Sequence, residues 1–500
     1  MAFQRPGVYV EETLNPIQPV VGANSDSIAA FIGTSDRGPV STATLITSWS
    51  QYVNAFGSWN TTASDDLPLA VYMYFSNGGS QCYVVRVAST AIASLRSLND
   101  RATSPSATLS INSNTPGAWG NNLNVTISNS VTTGYFDLTV YYGGVTDANI
   151  VERFTDINMT ASDARYAIAT VNTASKYVVL TDLNSGNTGA TRNPAVVTNQ
   201  TLASGSNGGA VGTTEYSSTL ASFDTVLQSL VLNAPGQTGA GTVNALITYA
   251  TARTDVFVVI DGQNVAPSTQ ISVAATYTAS SYAAVYYPPL VISDPTVAIG
   301  SSSGQTLTVG PAASIAGLIS STDASRGVFK APAGLQARLA GVVSTRQLTN
   351  ANLDSLNSAA APVNAIKFVP GSGYVVMGSR TLKPGYVDKY VPVRRTLIYL
   401  RKSLTDITEF AIFEPNDEAL WRRIESTING FLTAFWSQGG LRGATPAQAF
   451  FVKVDAENNP QYLIDNGEVH IEVGVALQRP AEFVVIKIGQ FDGGTTVTVA

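Results

Sequence analysis

The sequence predicts a multidomain protein that combines α/β and α+β units. Apolar runs typical of fully covered strands accompany helical patterns in two separate parts of the chain. A Ser/Thr/Asn/Gly-rich stretch of short alternating strands lies between them, and a long amphipathic helix precedes an alternating strand near the end. The length of 500 residues also exceeds what one hydrophobic core usually supports.

The first 22 residues predict an extended arm. The run from Arg5 to Thr13 is β-prone around a Pro-Gly turn, and Pro16 and Pro19 follow it. Its apolar residues are too few to form a core of their own, so we expect this segment to extend from the body.

The α/β pattern begins with a buried strand predicted at Ile28–Gly33. Leu67 to Phe75 has helical spacing, and Gly78-Gly79 ends it before a strand predicted at Tyr83–Val87. Further along the chain, the same pattern resumes.

The resumed pattern contains a helix predicted at Phe223–Leu232. It precedes Asp255–Gly262, an apolar run typical of a strand covered on both faces. Both parts together predict one discontinuous domain.

The interrupting stretch predicts an inserted β-sandwich, because turn residues separate short alternating strands. These strands are predicted at Ala107–Ile111, Leu123–Ile127, Phe136–Tyr142 and Tyr177–Leu180, and a Gly/Ser-rich run closes the unit at Ser204–Gly209.

A strongly amphipathic helix is predicted after Pro415, with Asn416 as its N-cap and Gly439 as its stop. Asp417 and Glu418 lie in its first turn, where the helix dipole favours acidic groups. Its apolar residues recur every three or four positions: Leu420, Ile424, Ile428, Phe431, Leu432, Phe435 and Trp436.

Two strands are predicted beyond this helix. Val469, Ile471, Val473 and Val475 alternate with polar or small residues in a half-buried strand, and a final strand is predicted at Phe483–Ile488.

These elements divide the chain into an N-terminal arm, an α/β core in two segments, an inserted β-sandwich, a C-terminal α+β domain and a C-terminal arm strand. The predicted bounds are, in that order, 1–22, 23–98 with 210–362, 99–209, 363–479 and 480–500.

The net charge of −6 argues against a general nucleic-acid-binding protein. The charge is uneven: Arg326 to Arg442 holds 15 basic and 8 acidic residues, which leaves 13 basic and 26 acidic residues elsewhere. One part of the molecule is therefore cationic and the remainder anionic, as expected for an oriented partner.

The sequence also disfavours a disulfide-stabilised, a secreted or a membrane-inserted protein. Cys82 is the only cysteine, which excludes an internal disulfide framework and is compatible with assembly in a reducing cytoplasm. The N-terminus lacks a secretory signal pattern. The most apolar stretch, Tyr282 to Ile292, contains Pro288 and Pro289, so we expect no membrane insertion.

An enzyme is not expected. A serine-protease triad needs a histidine, and the sole histidine, His470, lies on a C-terminal strand outside the α/β region. One Cys and one His cannot supply a usual zinc site, so no metal, catalytic residue or cofactor is predicted. Ion binding in the Asp182–Asn187 loop is unsupported by a complete calcium-loop pattern.

Short motifs along nearly the whole chain resemble contractile bacteriophage tail sheath proteins and the sheaths of phage-like contractile particles. Each motif is weak alone, and their order makes the resemblance specific. They are Pro6–Glu12, Phe31–Gly33, Arg37–Pro39, Asn77–Gly79, Val85–Val87, Gly117–Asn121, Gly327–Ala333, Arg380–Leu382, Val393–Arg395, Trp421 with its helix, Asn458–Pro460 and Pro480–Phe483.

The resemblance implies a structural subunit of the virion tail sheath, assembled in the host cytoplasm. Its core would have subtilisin-like α/β topology, and its C-terminal domain would face the inner tail tube. The implied partners are further copies of itself in a helical homopolymer of stacked hexameric rings, the tail tube protein, and baseplate and tail terminator proteins. No direct nucleic-acid contact is implied.

The resemblance also implies that both termini add strands to C-terminal domains of neighbouring subunits. The expected N-terminal arm residues are Gly7, Val8, Tyr9, Val10 and Glu11. The expected C-terminal arm residues are Phe483, Val484, Val485, Ile486, Lys487 and Ile488. The expected acceptor strand contains Val469, Ile471, Val473 and Val475.

The cationic segment suggests contact with an acidic tube surface. The candidates are Arg394, Arg395, Arg401, Lys402, Arg422 and Arg423. The competing interpretation is that they solvate helix faces or pair within the chain, for example with Glu409, Glu414 and Glu425.

Two alternative functions stay open. One is the sheath of a bacterial contractile injection or bacteriocin particle. The other, of a different class, is a glycan-binding or adhesive role for the β-sandwich, in which Trp119 stacks on a sugar. A buried Trp119 would favour a packing role instead.

Overall fold

A computed structural model describes residues 27–59, 66–295, 306–383, 385 and 388–482. Its strands are β1 (Ile28–Gly33), β2 (Thr44–Ile46), β3 (Cys82–Arg86), β4 (Leu95–Asn99), β5 (Ala107–Ser113), β6 (Leu123–Asn129), β7 (Phe136–Tyr142), β8 (Ile150–Ile157), β9 (Val178–Asp182), β10 (Val197–Thr201), β11 (Leu230–Asn233), β12 (Val256–Asp261), β13 (Ala283–Tyr287), β14 (Leu290–Ser293), β15 (Thr306–Val309), β16 (Val342–Thr345), β17 (Val363–Val369), β18 (Gly373–Val376), β19 (Phe450–Lys453) and β20 (Glu472–Val475).

The α-helices of the described residues follow the same numbering. They are α1 (Trp49–Phe56), α2 (Asp66–Ser76), α3 (Ala167–Ala174), α4 (Thr213–Thr219), α5 (Ala240–Arg253), α6 (Pro267–Ala274), α7 (Ala312–Arg326), α8 (Asn350–Ser358), α9 (Val391–Thr408), α10 (Glu418–Ser437), α11 (Pro446–Ala449) and α12 (Gln461–Asp465).

An eight-stranded sheet forms the largest unit, in the order β18-β17-β13-β12-β11-β1-β3-β2. Its six central strands are parallel, and β18 and β2 pair antiparallel at the two ends. Every residue of β1, β11, β12 and β13 is buried, which requires cover on both faces of the sheet. The mixed α/β, multidomain class predicted from the sequence is confirmed.

The helix predicted at Phe223–Leu232 is wrong. Leu220–Thr225 forms a short 3-10 helix, and Leu230–Asn233 is strand β11 between β1 and β12. The apolar run Leu230-Val231-Leu232 carries no period of its own, so its burial on both faces decides in favour of a strand.

Strands β17 and β18 complete the large sheet, although the predicted boundary at residue 362 assigns them to the C-terminal domain. Val363 of β17 lies beside Val285 of β13 in parallel register. The same hydrophobic core extends to Val391 and Ile398 at the start of α9. The sheet therefore places residues beyond 362 in the core.

The inserted segment forms two antiparallel sheets, β10-β6-β7-β8 and β4-β5-β9. Its hydrophobic cluster is built from residues between Leu98 and Leu202. All four strands predicted here are present, within about two residues of the expected bounds.

The insert is joined to the core through Arg37 and Arg86. The Arg37 guanidinium lies 5.6, 5.9 and 5.4 Å from the ring centres of Trp119, Tyr142 and Tyr177, and its Nη2 donates to the Val53 carbonyl at 2.8 Å. Arg86 is buried and donates to the carbonyls of Gly38 and Pro116 at 3.0 and 2.6 Å. Three motifs that are distant in sequence thus build one junction.

A third hydrophobic cluster lies in the C-terminal region, between α9, α10 and the pair β19-β20. Among the residues that the structure describes, no helix is both long and apolar enough to cross a membrane.

Candidate assembly interface

Helix α10 forms the base of this C-terminal cluster. The predicted apolar face is confirmed, since Leu420, Ile424, Ile428, Leu432 and Phe435 are all buried. Gly439 ends the segment with a φ of +83°, a conformation that favours glycine.

The N-cap of α10 is Asp417, not Asn416 as the sequence predicts. The Asp417 carboxylate accepts a hydrogen bond from the Leu420 backbone N–H at 2.9 Å. The Asn416 side chain accepts from Trp421 Nε1 at 2.8 Å and donates to the Glu468 carbonyl at 2.9 Å. Asn416 therefore ties the helix start to the segment that leads into β20.

Strands β19 and β20 form a two-stranded antiparallel sheet that covers this cluster. The predicted acceptor strand is shorter than expected: it spans Glu472–Val475, and Val469 and Ile471 lie before it. Side chains of all four predicted acceptor residues pack against the cluster. Within the described residues, β19 is the only strand paired with β20.

The register shows which backbone groups of β20 face away from β19. The Ala476 N–H donates to the Ala449 carbonyl, and the pairs Phe451–Gly474 and Lys453–Glu472 continue this alternation. In an antiparallel pair, the intervening residues direct their N–H and C=O groups to the opposite edge. Val473 and Val475 therefore present their backbone groups at the edge of β20 that no strand of the described residues pairs with, called its open edge below.

Both predicted arms lie outside the described residues. Gly7, Val8, Tyr9, Val10 and Glu11 belong to the first segment left undescribed, and Phe483, Val484, Val485, Ile486, Lys487 and Ile488 belong to the last. Their pairing stays a prediction.

Two of the six predicted tube-facing residues are buried inside the chain. Arg395 forms a two-point ion pair with Asp323 of α7, with Nη1 at 2.9 Å from Oδ1. Arg394 donates to Asp388 at 3.0 Å, and its guanidinium lies 4.6 Å from the Tyr282 ring centre. The tube-facing prediction is wrong for these two residues, because internal partners hold them away from the surface.

The other four candidates lie closer to the surface. Arg422 is 74% exposed and pairs with Glu418 one turn away at 2.7 Å. The Arg423 guanidinium lies 4.3 Å from the Phe410 ring centre, and Lys402 pairs with Asp406 at 2.5 Å. Arg401 is half-buried on α9. Helix pairs of this kind are weak, so their cations stay accessible to a partner.

The residues considered for catalysis or ion binding have other contacts. His470 is exposed and lies 2.9 Å from Glu468. Asp182 accepts from Arg192 at 2.7 Å and from the Tyr166 hydroxyl at 2.6 Å. Burial raises the pKa of the Cys82 thiol, which disfavours its reactive thiolate. Among described residues, no group of three or more His, Cys, Asp or Glu is arranged to hold a metal ion.

Trp119 is unsuited to stack on a sugar. It is 6% exposed, its Nε1 donates to the Thr115 carbonyl at 3.1 Å, and its ring faces the Arg37 guanidinium. The packing interpretation of this residue is therefore favoured.

Arg380 and Glu482 form an ion pair that the sequence does not predict. The structure joins them at 2.8 Å between Arg380 Nε and Glu482 Oε1. They are 102 positions apart, and charge alone does not select one partner among many. Their only sequence signal is that each lies in a sheath-like motif.

Comparison with known proteins connects this architecture to contractile sheaths. The family model of the phage tail sheath C-terminal domain matches residues 389–490. The tail sheath protein of Vibrio phage KVP40 is 28% identical over 180 residues, which is 35% of this chain and 26% of that protein. The chain thus matches about a quarter of that relative's length.

Solved structures match the chain over nearly its full length. The sheath of the extracellular contractile injection system PVC, in its contracted state, is 22% identical, with a TM-score of 0.60 and 98% of both chains covered. The contracted helical sheath of the anti-feeding prophage is 23% identical, with a TM-score of 0.58 and coverage of 98% and 100%. The sheath tail protein of Listeria innocua is 13% identical, with a TM-score of 0.63 and coverage of 91% and 96%.

The chain therefore shares the fold of these solved contractile sheath structures. Residues 389–490 match the model of the phage tail sheath C-terminal domain, and the resemblance predicted from the sequence motifs is confirmed.

Proposed function

We propose that this chain is the structural subunit of a contractile tail sheath. It polymerises helically around an inner tail tube and contracts to drive the tube through a host envelope during genome delivery. The observation that carries the proposal is the open edge of β20, within a fold shared with sheath proteins along 98% of the chain. The sheath of a bacterial contractile injection particle is the second candidate, favoured by the match to the PVC sheath.

Strand addition supplies the link between subunits. An extended arm placed beside β20 finds the outward N–H and C=O groups of Val473 and Val475. About six added residues make several backbone hydrogen bonds, each worth roughly 0.5–1.5 kcal/mol net. The arm and its acceptor are different surfaces, so the contact is heterologous, and a rotation that does not close generates a helix.

Contraction requires two packings of the same subunits. Backbone links that survive the change would keep neighbours connected while weaker side-chain contacts rearrange.

On the tube side, Arg401, Lys402, Arg422 and Arg423 are the remaining candidates. Surface ion pairs of about 0–1 kcal/mol are screened by salt, which suits a tube that is held and later released.

The finer architecture belongs to the same proposal. We keep the subtilisin-like description of the core and the predicted division into arms, core, insert and C-terminal domain, with the boundary after 362 moved into α9. The partners are other copies in stacked hexameric rings, a tube protein, and baseplate and terminator proteins. The role is mechanical and not enzymatic.

Electron microscopy of the full chain and of a version lacking residues 1–20 tests this proposal. Long hollow cylinders are expected from the full chain, alone or templated by tube protein, and shortened or absent cylinders from the truncation. Monodisperse monomers from both chains, even with tube protein present, would contradict the proposed sheath function. A truncation that assembles normally would exclude the N-terminal arm as the link.

A further inference from the structure

Phe413 is a large apolar side chain that the fold exposes at a strained turn. It is 88% exposed and lies in the connection between α9 and α10. The Glu414 N–H donates to the Ala411 carbonyl at 3.3 Å, and Ile412 and Phe413 have φ values of −68° and +66°, as in a type II turn. The second central position of that turn favours glycine or asparagine, so a bulky side chain there is strained. Neither the strain nor the exposure stabilises the single chain, which indicates a contact with a partner.

The exposed charges of this turn are acidic. Residues 409–418 contain four carboxylates and no basic residue. The last two of these carboxylates bond within α10. The other two, Glu409 and Glu414, are exposed, and no ion pair joins either of them to another residue of the described chain. Phe413 with these two free carboxylates is called the acidic knob below.

A second exposed surface of the same chain has the opposite charge. Residues 326–383 contain seven basic residues and one acidic residue, Asp354. On the β17–β18 hairpin, the ring centres of Phe368 and Tyr374 lie 5.3 Å apart, and the Tyr374 hydroxyl donates to the Val343 carbonyl at 3.2 Å. Phe368 is 49% exposed and Val343 is 51% exposed. These three residues form an apolar surface at one edge of the large sheet.

A cation borders this apolar surface. Arg338 is exposed, and its Nη2 donates to the carbonyl of Gly371 at 3.1 Å, in the turn between β17 and β18. It has no carboxylate partner within the part of the chain that the structure describes. Aromatic residues and arginine are enriched at protein interfaces and supply many of their strongest contacts. Arg338, Val343, Phe368 and Tyr374 are called the hairpin patch below.

We propose that the acidic knob of one copy docks on the hairpin patch of a second copy of this chain. Phe413 packs on the apolar surface of the patch, and the two free carboxylates approach Arg338. The knob and the patch are complementary in charge, and Phe413 stays exposed within its own chain, so the contact is intermolecular. Because they are different surfaces, the contact is heterologous and can repeat along an open polymer. The inference rests on the proposed function only for that polymer.

Photo-crosslinking of the full-length chain tests the contact. p-Benzoylphenylalanine is placed at position 413 and, in the matched control, at Val131, a fully exposed apolar residue of the insert. A mixture of isotopically labelled and unlabelled chains distinguishes crosslinks between copies from crosslinks within one copy. We expect crosslinks from position 413 to the hairpin patch of another copy, with or without tube protein, and none to that patch from position 131. Crosslinks only to tube protein, or to another surface of the second copy, would overturn the proposal.

A glycine variant separates docking from folding. Phe413→Gly suits the left-handed turn and removes the ring. Its urea midpoint as a monomer should stay close to the wild type, because relief of turn strain offsets the added freedom of the unfolded chain. The critical protein concentration for cylinders should nevertheless rise about tenfold or more, as for the loss of a central aromatic residue at an interface. Val131→Gly is the control and should leave that concentration unchanged. A folded Phe413→Gly chain that assembles at the wild-type concentration would overturn the docking role.

A charge swap tests whether the two surfaces meet. Glu414→Arg and Arg338→Glu should each raise the critical concentration, because like charges then face each other. The chain that carries both substitutions should recover most of the wild-type assembly, since each contact regains one carboxylate and one guanidinium. Absence of any recovery would overturn the pairing of knob and patch. A wild-type chain that forms no cylinders would contradict the proposed function, and crosslinks between copies from position 413 would still support the docking.

Discussion

The eight-stranded sheet and the two-stranded sheet β19-β20 differ in whether their edge strands are covered. The eight-stranded sheet is closed by short or covered strands: β2 has three residues, and the backbone of Gly334, Ala337 and Leu339 bonds along the outer side of β18. The two-stranded sheet leaves one edge of β20 without a partner strand in the described chain. Short and covered edges prevent unwanted pairing, whereas an open edge invites it.

We relate the large sheet to the stability of the subunit and the small sheet to its assembly. The central strands β1, β11, β12 and β13 of the large sheet are buried on both faces. A two-stranded sheet is marginal alone, and this one depends on packing against α10. On the proposed function, the core stabilises the subunit and an arm of another chain completes the small sheet.

The largest expected effect is on the free energy of unfolding, when the buried Arg395 of the core is replaced. Arg395→Ala removes one partner of a buried ion pair and leaves Asp323 uncompensated, so we expect a loss of about 3–5 kcal/mol in the free energy of unfolding. Urea unfolding measures it. Arg422→Ala, at a pair that is 74% and 73% exposed, is the control and should change stability by less than about 1 kcal/mol. Equal effects at both positions would show that Arg395 is a surface residue.

A smaller effect is expected at the junction between core and insert. Arg37→Ala removes hydrogen bonds to the end of α1 and the cation packed among three rings, which should cost about 1–2 kcal/mol. Proteolysis between core and insert should become faster, while Arg37→Lys keeps part of the cation–π contact. Unchanged proteolysis in Arg37→Ala would mean that Arg86 and backbone bonds alone hold the insert.

The predictable parts of this molecule are those decided by local periodicity. The apolar face of α10 and the strands of the insert follow from spacings of three to four and of two residues, and β1 follows from a continuous apolar run. The helix predicted at Phe223–Leu232 fails because the short run of β11 has no period and obtains its burial from β1 and β12.

Long-range pairing explains the remaining misses. Arg395 lies 72 positions from Asp323, and Arg380 lies 102 positions from Glu482. The sequence shows that these groups are charged, but only the fold decides which carboxylate each one meets. The family resemblance implies an acceptor strand at Val469, Ile471, Val473 and Val475, whereas the outward direction of the Val473 backbone follows only from the strand register.

A still smaller effect on the free energy of unfolding is expected at Arg422 and Arg423, two of the tube-facing candidates. Arg422→Glu with Arg423→Glu should change unfolding free energy by only about 1 kcal/mol, because Arg422 is highly exposed and Arg423 loses one contact with Phe410. Co-sedimentation with tube protein should nevertheless weaken, and its dependence on salt should flatten. Tube binding that keeps the wild-type salt dependence would remove these residues from the interface.

The most direct test of the open edge is Val473→Pro compared with Val473→Thr. Proline removes an N–H that makes no bond to β19, whereas threonine retains it, so both monomers should unfold within about 1 kcal/mol of the wild type. Negative-stain electron microscopy of both variants with tube protein then decides the matter. We predict cylinders from Val473→Thr and monomers from Val473→Pro, and wild-type cylinders from folded Val473→Pro would contradict strand addition at β20.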